Sequence, residues 1–321
     1  MRSPALAGLV LALLIRAPLA GQYPPTTPAP APAPSPVKLS GYIQARGVYQ
    51  SEVGLTSSIN RARLSASGAI LQGLTWRIQG EFRTGSVGNG RASVAMQDAY
   101  IRYNPGAWAV QAGQFKTPFT REFITSLADI ETADRATIVD SLAPKRDIGL
   151  MAEYMYRRIG LWAGLFNGEG QNVTVNTDST VLGVARFAVR LLPHLALGVN
   201  GALYFGDSTR YGVDAAYEDD RFALKAEYLG QTRDDVSGPD DWGWYGLGAV
   251  FVIPTVQAVG KYEEFARPGV ASAVRNDAWT AGLNVYPSGR TLRLAFDYLS
   301  RQTGESGPRK GRLLAQVQTK F

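Results

Sequence analysis

Residues 74–83, LTWRIQGEFR, alternate without a break. Leu74, Trp76, Ile78 and Phe82 fall on one face of an extended chain, and Thr75, Arg77, Gln79, Glu81 and Arg83 fall on the other. The period returns at 221–230, RFALKAEYLG, where Phe222, Leu224, Ala226 and Tyr228 oppose Lys225 and Glu227. Strands of a soluble sandwich usually end after about five or six residues. Most segments here run longer, at the length of a tilted membrane crossing, about nine to eleven residues.

Outward from those two segments the same texture fills the chain from Lys38 to Phe321. Sixteen alternating segments can be marked: 38–49, 60–70, 74–84, 93–103, 107–114, 146–157, 159–167, 179–191, 195–205, 210–218, 221–232, 242–252, 255–265, 276–286, 290–301 and 311–321. Their connections alternate in length. Turns such as Leu71-Gln72-Gly73, Asn104-Pro105-Gly106, Arg157-Arg158, Leu192-Pro193-His194 and Pro287-Ser288-Gly289 are tight, whereas 85–92, 168–178, 233–241, 266–275 and 302–310 are longer and polar. Short turns at one rim and long loops at the other define a transmembrane barrel. The fold expected is all-β, a closed antiparallel transmembrane β-barrel of about sixteen strands, with fourteen or eighteen left open. Tyr103, Trp108, Phe205, Phe222, Tyr245, Tyr286 and Tyr298 lie near strand ends, where interfacial aromatic girdles belong.

The ends of the chain fit export to an outer membrane. Residues 1–20 carry Arg2, a short apolar core and Ala20 at a cleavage position, a signal peptide rather than a spanning helix. Residues 21–37, GQYPPTTPAPAPAPSPV, form a Pro/Ala-rich linker, and the barrel is assigned to 38–321. The terminal Phe321 resembles the signal read by the barrel assembly machinery. Lipid and lipopolysaccharide are the surroundings expected; the pairs Asp234-Asp235 and Asp240-Asp241 could bind calcium weakly, but more often such pairs are solvated or meet lipopolysaccharide through divalent ions.

The chain lacks cysteine and has one histidine, His194, in a turn, which argues against a catalytic centre or a transition-metal site. No cofactor is implied, and no block of like charge suggests nucleic acid. Loss of the signal removes Arg2 and Arg16, taking the formal charge from +6 to +4. By strand parity the lumen face holds Arg46, Arg61, Arg63, Arg77, Arg83, Arg102, Arg186, Arg190, Lys225, Lys261, Arg293 and Lys320, against Glu81, Asp98, Glu153, Asp214, Glu227, Glu263 and Asp297. Twelve minus seven leaves +5, and basic rings favour anions. Pairing of these charges across strands would instead leave a nearly neutral pore. By the same parity, Arg in place of Leu224 or Phe296 should disrupt assembly and Arg in place of Gln79 or Ala295 should be tolerated.

One connection breaks the pattern. Residues 115–145, FKTPFTREFITSLADIETADRATIVDSLAPK, are too long for a plain loop and are the only segment able to reach the barrel axis. QDAYIRY (97–103), GQFKTPF (113–119) and ETADRATIVDSLAPKRDIGL (131–150) together resemble the phosphate-selective porin O and P family, and the likeness extends more weakly from INRARLSASG (59–68) to Phe321. The resemblance implies a trimer of sixteen-stranded barrels, a third loop folded inward and a basic pore passing small anionic solutes. It places Lys116 on the lysine of GQFK, Arg61 and Arg63 in the basic patch of the second strand, and Asp98 on the acid of DAY. The first strand departs from the arginine placement expected there and offers Arg46 instead. The alternative from another class is a non-conducting surface barrel, an adhesin or anchor whose lumen the loop plugs. Lys116 itself admits two roles: an anion contact facing Arg61 and Arg63, or a pin paired with Glu122 or Asp98.

Overall fold

The computed structural model describes residues 36–84, 93–176, 180–233, 240–267, 274–304 and 307–321. Residues 1–20, read as a signal peptide, most of the stretch read as a linker and the pair Asp234-Asp235 lie outside them. The described strands are β1 (Lys38–Gln50), β2 (Gly54–Leu71), β3 (Leu74–Arg83), β4 (Ser93–Tyr103), β5 (Trp108–Lys116), β6 (Arg146–Tyr156), β7 (Ile159–Phe166), β8 (Leu182–Arg190), β9 (Leu195–Tyr204), β10 (Ser208–Glu218), β11 (Phe222–Arg233), β12 (Asp241–Ile253), β13 (Val256–Arg267), β14 (Val274–Arg290), β15 (Leu292–Thr303) and β16 (Arg309–Lys320). Each pairs antiparallel with its neighbours in sequence, and β1 pairs with β16, from Tyr42 opposite Lys320 to Gln50 opposite Arg312. The sheet therefore closes with no free edge along the seam, as a lipid-exposed sheet must.

Two boundaries differ from the sequence reading by more than three residues. β2 begins at Gly54, so its connection to β1 is only 51–53; Thr56, Ser57 and Ser58 had concealed the strand's polar upper end. β14 runs through Pro287-Ser288-Gly289, and its pairing with β15 shifts between Val285 and Ser288, so a bulge absorbs the turn residues.

Parity sorts the side chains as the alternation demands. Ile78, Phe82, Leu224 and Phe296 stand exposed on the outer wall, while Gln79, Glu81, Glu227 and Asp297 are buried inside. Tyr103 and Trp108 meet edge to face on the outside, and Trp279 packs at a tilt on Tyr298. Tyr245 and Tyr286 correct the girdle assignment. Both share the inward parity of their strands, and Tyr245 is almost wholly enclosed, donating from its hydroxyl to Glu227 at 2.9 Å.

The fifth strand ends where the long connection begins. β4 pairs with β5 only from Ala99 opposite Gln114 to Tyr103 opposite Val110, although β3 keeps pairing with β4 up to Ser93. Gly113, at φ +124°, marks the departure; a Cβ there would stand 2.2 Å from the Ala99 carbonyl oxygen. Gln114 Nε2 then donates to the Met96 and Gln97 carbonyls, each at 3.0 Å, covering part of the strand left without a neighbour.

Candidate functional site

Residues 117–145 carry two short helices, α1 (Arg121–Ile124) and α2 (Thr137–Leu142), and otherwise irregular backbone. Irregular backbone needs hydrogen-bond partners that it does not supply itself. The lumen wall supplies them in both polarities. Wall carboxylates and amides accept from loop N–H groups: Glu227 from Glu122 at 2.6 Å, Asp297 from Ala133 at 2.8 Å, Glu263 from Thr137 at 3.2 Å and Asn200 from Thr120 at 3.2 Å. Wall cations donate to loop carbonyls: Arg293 to Ile130 at 2.6 Å and to Glu131, Arg46 to Ala133 at 3.0 Å, and Lys261 to Asp134 at 3.3 Å. Thr120, at φ 57°, sits on the side of conformational space that non-glycine residues rarely occupy; its hydroxyl caps α1 by accepting from Phe123 N–H at 3.0 Å.

An apolar contact seats the same loop. Phe119, Phe123, Ile138, Val139 and Leu142 pack with Phe166, Leu182, Leu229, Tyr245, Leu247, Val259 and Phe265 of the inner wall. The loop thus lies against β7–β13 and is tied by Asp134 to the opposite side, where Arg46 donates at 2.8 Å and Arg312 at 3.0 Å. Burial alone would raise the Asp134 carboxyl; Arg46 and Arg312 more than offset it and hold it below its ordinary value.

Between the loop and β1–β6 a polar cavity of about 310 Å³ remains. Arg63, Arg77, Lys116 and Arg146 line it against one carboxylate, Asp98, with Tyr42, Gln79, Tyr100, Gln111 and Ser126 completing its polar rim. Arg63 Nε meets Glu81 at 2.5 Å, Arg146 Nε meets Asp98 at 2.8 Å, and Arg77 lies 3.6 Å from Asp98.

The candidate residues distribute as follows. Lys116, Arg63 and Asp98 come together at the cavity with Arg77. Arg61 sits beside them on Glu81 at 3.3 Å, while Arg46 is spent on Asp134 and Gln316. Arg83 lies 3.8 Å from Glu81, and Arg102 makes a two-pronged contact with Glu153 at 3.0 and 3.1 Å. Arg186 pairs with Asp214, Lys225 with Glu131 at 2.7 Å, and Lys320 with Asp129. Arg190 is exposed at the end of β8. Most of the wall cations expected to face water therefore face the loop or a wall acid, a correction with a plain cause: the loop brings acids and carbonyls into the lumen that strand parity alone does not count.

Lys116 also departs from its expected partners. Its Nζ meets neither Glu122 nor Asp98 but donates to the carbonyls of Phe123 at 2.7 Å, Ile124 at 3.2 Å and Thr125 at 2.8 Å. Asp241, read as a solvated loop acid, is fully buried between Arg233 and Arg267. The residue that sequence reasoning missed is Arg146. It stands in the quoted APKRDIGL stretch at the far end of the loop, and its cue was the return of strand alternation immediately after Lys145.

An apolar belt outside, a charged lumen inside and a loop folded into that lumen are the architecture of the porins, the channels of the outer membrane. Solved structures agree on the fold. OmpT of Vibrio cholerae in its trimer form superposes with a TM-score of 0.68 at 10% identity, over 89% of this chain and 99% of that one. The outer-membrane channel DcaP of Acinetobacter baumannii gives 0.66 at 14% identity over 89% and 97%, and a mutant Rh. blastica porin gives 0.59 at 14% over 89% and 100%. The chain belongs to the phosphate-selective porin O and P family, whose sequence model matches residues 40–203. No curated protein matches it.

Proposed function

We propose that this outer-membrane channel passes small hydrophilic anions in preference to cations, phosphate-type oxyanions among them. The observation that carries the reading is the sign of the cavity beside the loop: four cations, Arg63, Arg77, Lys116 and Arg146, against Asp98 alone. At a constriction the water is thin and the effective dielectric low, so a fixed charge acts on a passing ion more strongly than in bulk. Arginine adds a planar fork suited to oxyanions. The trimer form of the Vibrio cholerae relative supports a homotrimer here. Export after signal cleavage near Ala20, assembly through Phe321 and contact with lipopolysaccharide belong to the same reading.

The test is the reversal potential of the purified channel in a KCl gradient. Anion preference is expected, weakening as salt shortens the screening length. Cation preference defeats the proposal, and a folded barrel with no conductance favours the plugged adhesin or anchor. Phosphate added to a chloride current should reduce it if oxyanions dwell in the cavity.

A further inference from the structure

At α1 two buried acids help to seat the loop on the wall. Glu122 of the loop and Glu227 of β11 are both buried. Glu227 Oε1 accepts the Glu122 N–H at 2.6 Å and the Tyr245 hydroxyl at 2.9 Å, and its Oε2 is enclosed without a partner. Glu122 Oε2 accepts the Ala136 N–H at 2.9 Å. Arg135 donates to the Glu122 and Phe123 carbonyls rather than to the Glu122 carboxylate. Other loop-holding acids are ion-paired: Asp214 with Arg121 and Arg186, and Glu263 with Lys261 at 3.4 Å. Asp297 has Arg293 and Lys261 within electrostatic reach.

Two buried carboxylates on one hydrogen-bonded seat, neither in an ion pair among the described residues, cannot both ionise cheaply, so the site keeps a proton that free carboxylates would lose. We propose that Glu122 and Glu227 form a proton-held latch that seats the constriction loop, keeping the channel narrow while the pair retains its proton and loosening it when the proton is lost. The latch rests on the reading of this loop as the constriction of a conducting channel. The charged and titratable groups around it are Arg121, Glu131 and Arg135 of the loop, Asp214 of β10, Tyr245 of β12, and Lys261 and Glu263 of β13. Burial pushes the Glu122 carboxyl up to about 7. A value raised above the ordinary one means that seating is fully favoured below about pH 4.5 and is progressively weakened as pH climbs through 7. The one histidine, His194, cannot imitate this, since it sits in the β8–β9 turn with Nδ1 on the Glu218 carbonyl.

Two readouts on the whole detergent-solubilised protein test the latch: amide hydrogen exchange over residues 117–143, corrected for intrinsic rate, and open-channel noise in symmetric KCl, each at pH 6 and pH 9. Loop protection should fall on the order of tenfold or more at pH 9, with noisier current. Glu227→Gln, which removes one of the two titrating carboxyls while keeping a carbonyl oxygen for the Glu122 N–H, should reduce both changes. Equal protection at the two pH values in the unaltered protein overturns the latch, as does the same loss in Glu227→Gln. Should that variant fail to fold, Glu122→Gln takes its place, and the unaltered protein alone can still overturn the idea. A barrel that carries no current yet shows the exchange change defeats the channel reading and leaves the latch standing.

Discussion

Lys116 Nζ donates to the Phe123 carbonyl at 2.7 Å, so the side chain at which the long loop leaves the wall also closes the loop's first turn. A charged donor shared among three carbonyls is a strong tie; Arg135 also donates to Phe123 and Thr125, so removal of Lys116 leaves the Ile124 carbonyl without this donor, at about 1–3 kcal/mol if water does not reach it. Lys116→Ala should therefore give a noisier or wider channel with normal yield of folded barrel. Single-channel recording decides: a quiet channel of unchanged width with altered selectivity would mean that the ammonium meets solute more than backbone.

Arg146 and Asp98 offer a test of sign. The pair joins β6 to β4 at the cavity. A unit charge about 4 Å from an ion is worth roughly 1 kcal/mol in water, a factor of about five. Arg146→Ala should lower the chloride-to-potassium permeability ratio by about that factor or more at low salt, and Asp98→Asn should raise it. Shifts in the same direction would remove this cavity from the conduction path.

Outer and inner faces differ in their tolerance of charge. Leu224→Arg and Phe296→Arg place a cation in the lipid belt at roughly 2–4 kcal/mol and should reduce folded, heat-modifiable barrel on gels. Gln79→Arg, at the cavity, should fold normally. Ala295 shares the inner parity but has no exposed surface, so Arg there should also fail, from overpacking rather than desolvation. Equal folding of Leu224→Arg and Gln79→Arg would contradict the assigned faces.

Phe119 anchors the loop in the apolar seat. Phe119→Ala should cost about 3–5 kcal/mol of loop docking, while the strand ladder keeps the barrel closed. Conductance should rise and become irregular, with heat-modifiability close to that of the unaltered protein. If the whole barrel melts early instead, loop and wall are one cooperative unit.

The outer face could be read in the sequence because lipid leaves it no choice: every other residue of LTWRIQGEFR must be apolar. The inner face could not, because it serves two masters. In β12, Tyr245, Leu247 and Ala249 alternate with Trp244, Gly246, Gly248 and Val250, so neither face is polar. Tyr245 then passes for a girdle residue when it lines the loop's seat. Such a run, apolar on both faces in a membrane strand, is the trace that an infolded segment leaves on its wall. Lys116, Arg63 and Asp98 were legible as neighbours through the family motifs. The partners of Lys116 were not, since they are carbonyls, which have no letter in a sequence.

Asp134 is gripped by Arg46 of the first strand and Arg312 of the last. Their pairing spans the greatest sequence separation in the barrel, and such long-range closure is slow. The narrowing of the lumen is thus tied to closure: Arg46 and Arg312 can grip Asp134 together only when the seam is paired. A barrel caught before closure would be a wide hole, and the finished constriction is its certificate of completion. In a refolding experiment, access of a bulky lumen probe should therefore disappear after β-structure has formed, and more slowly in Arg46→Ala.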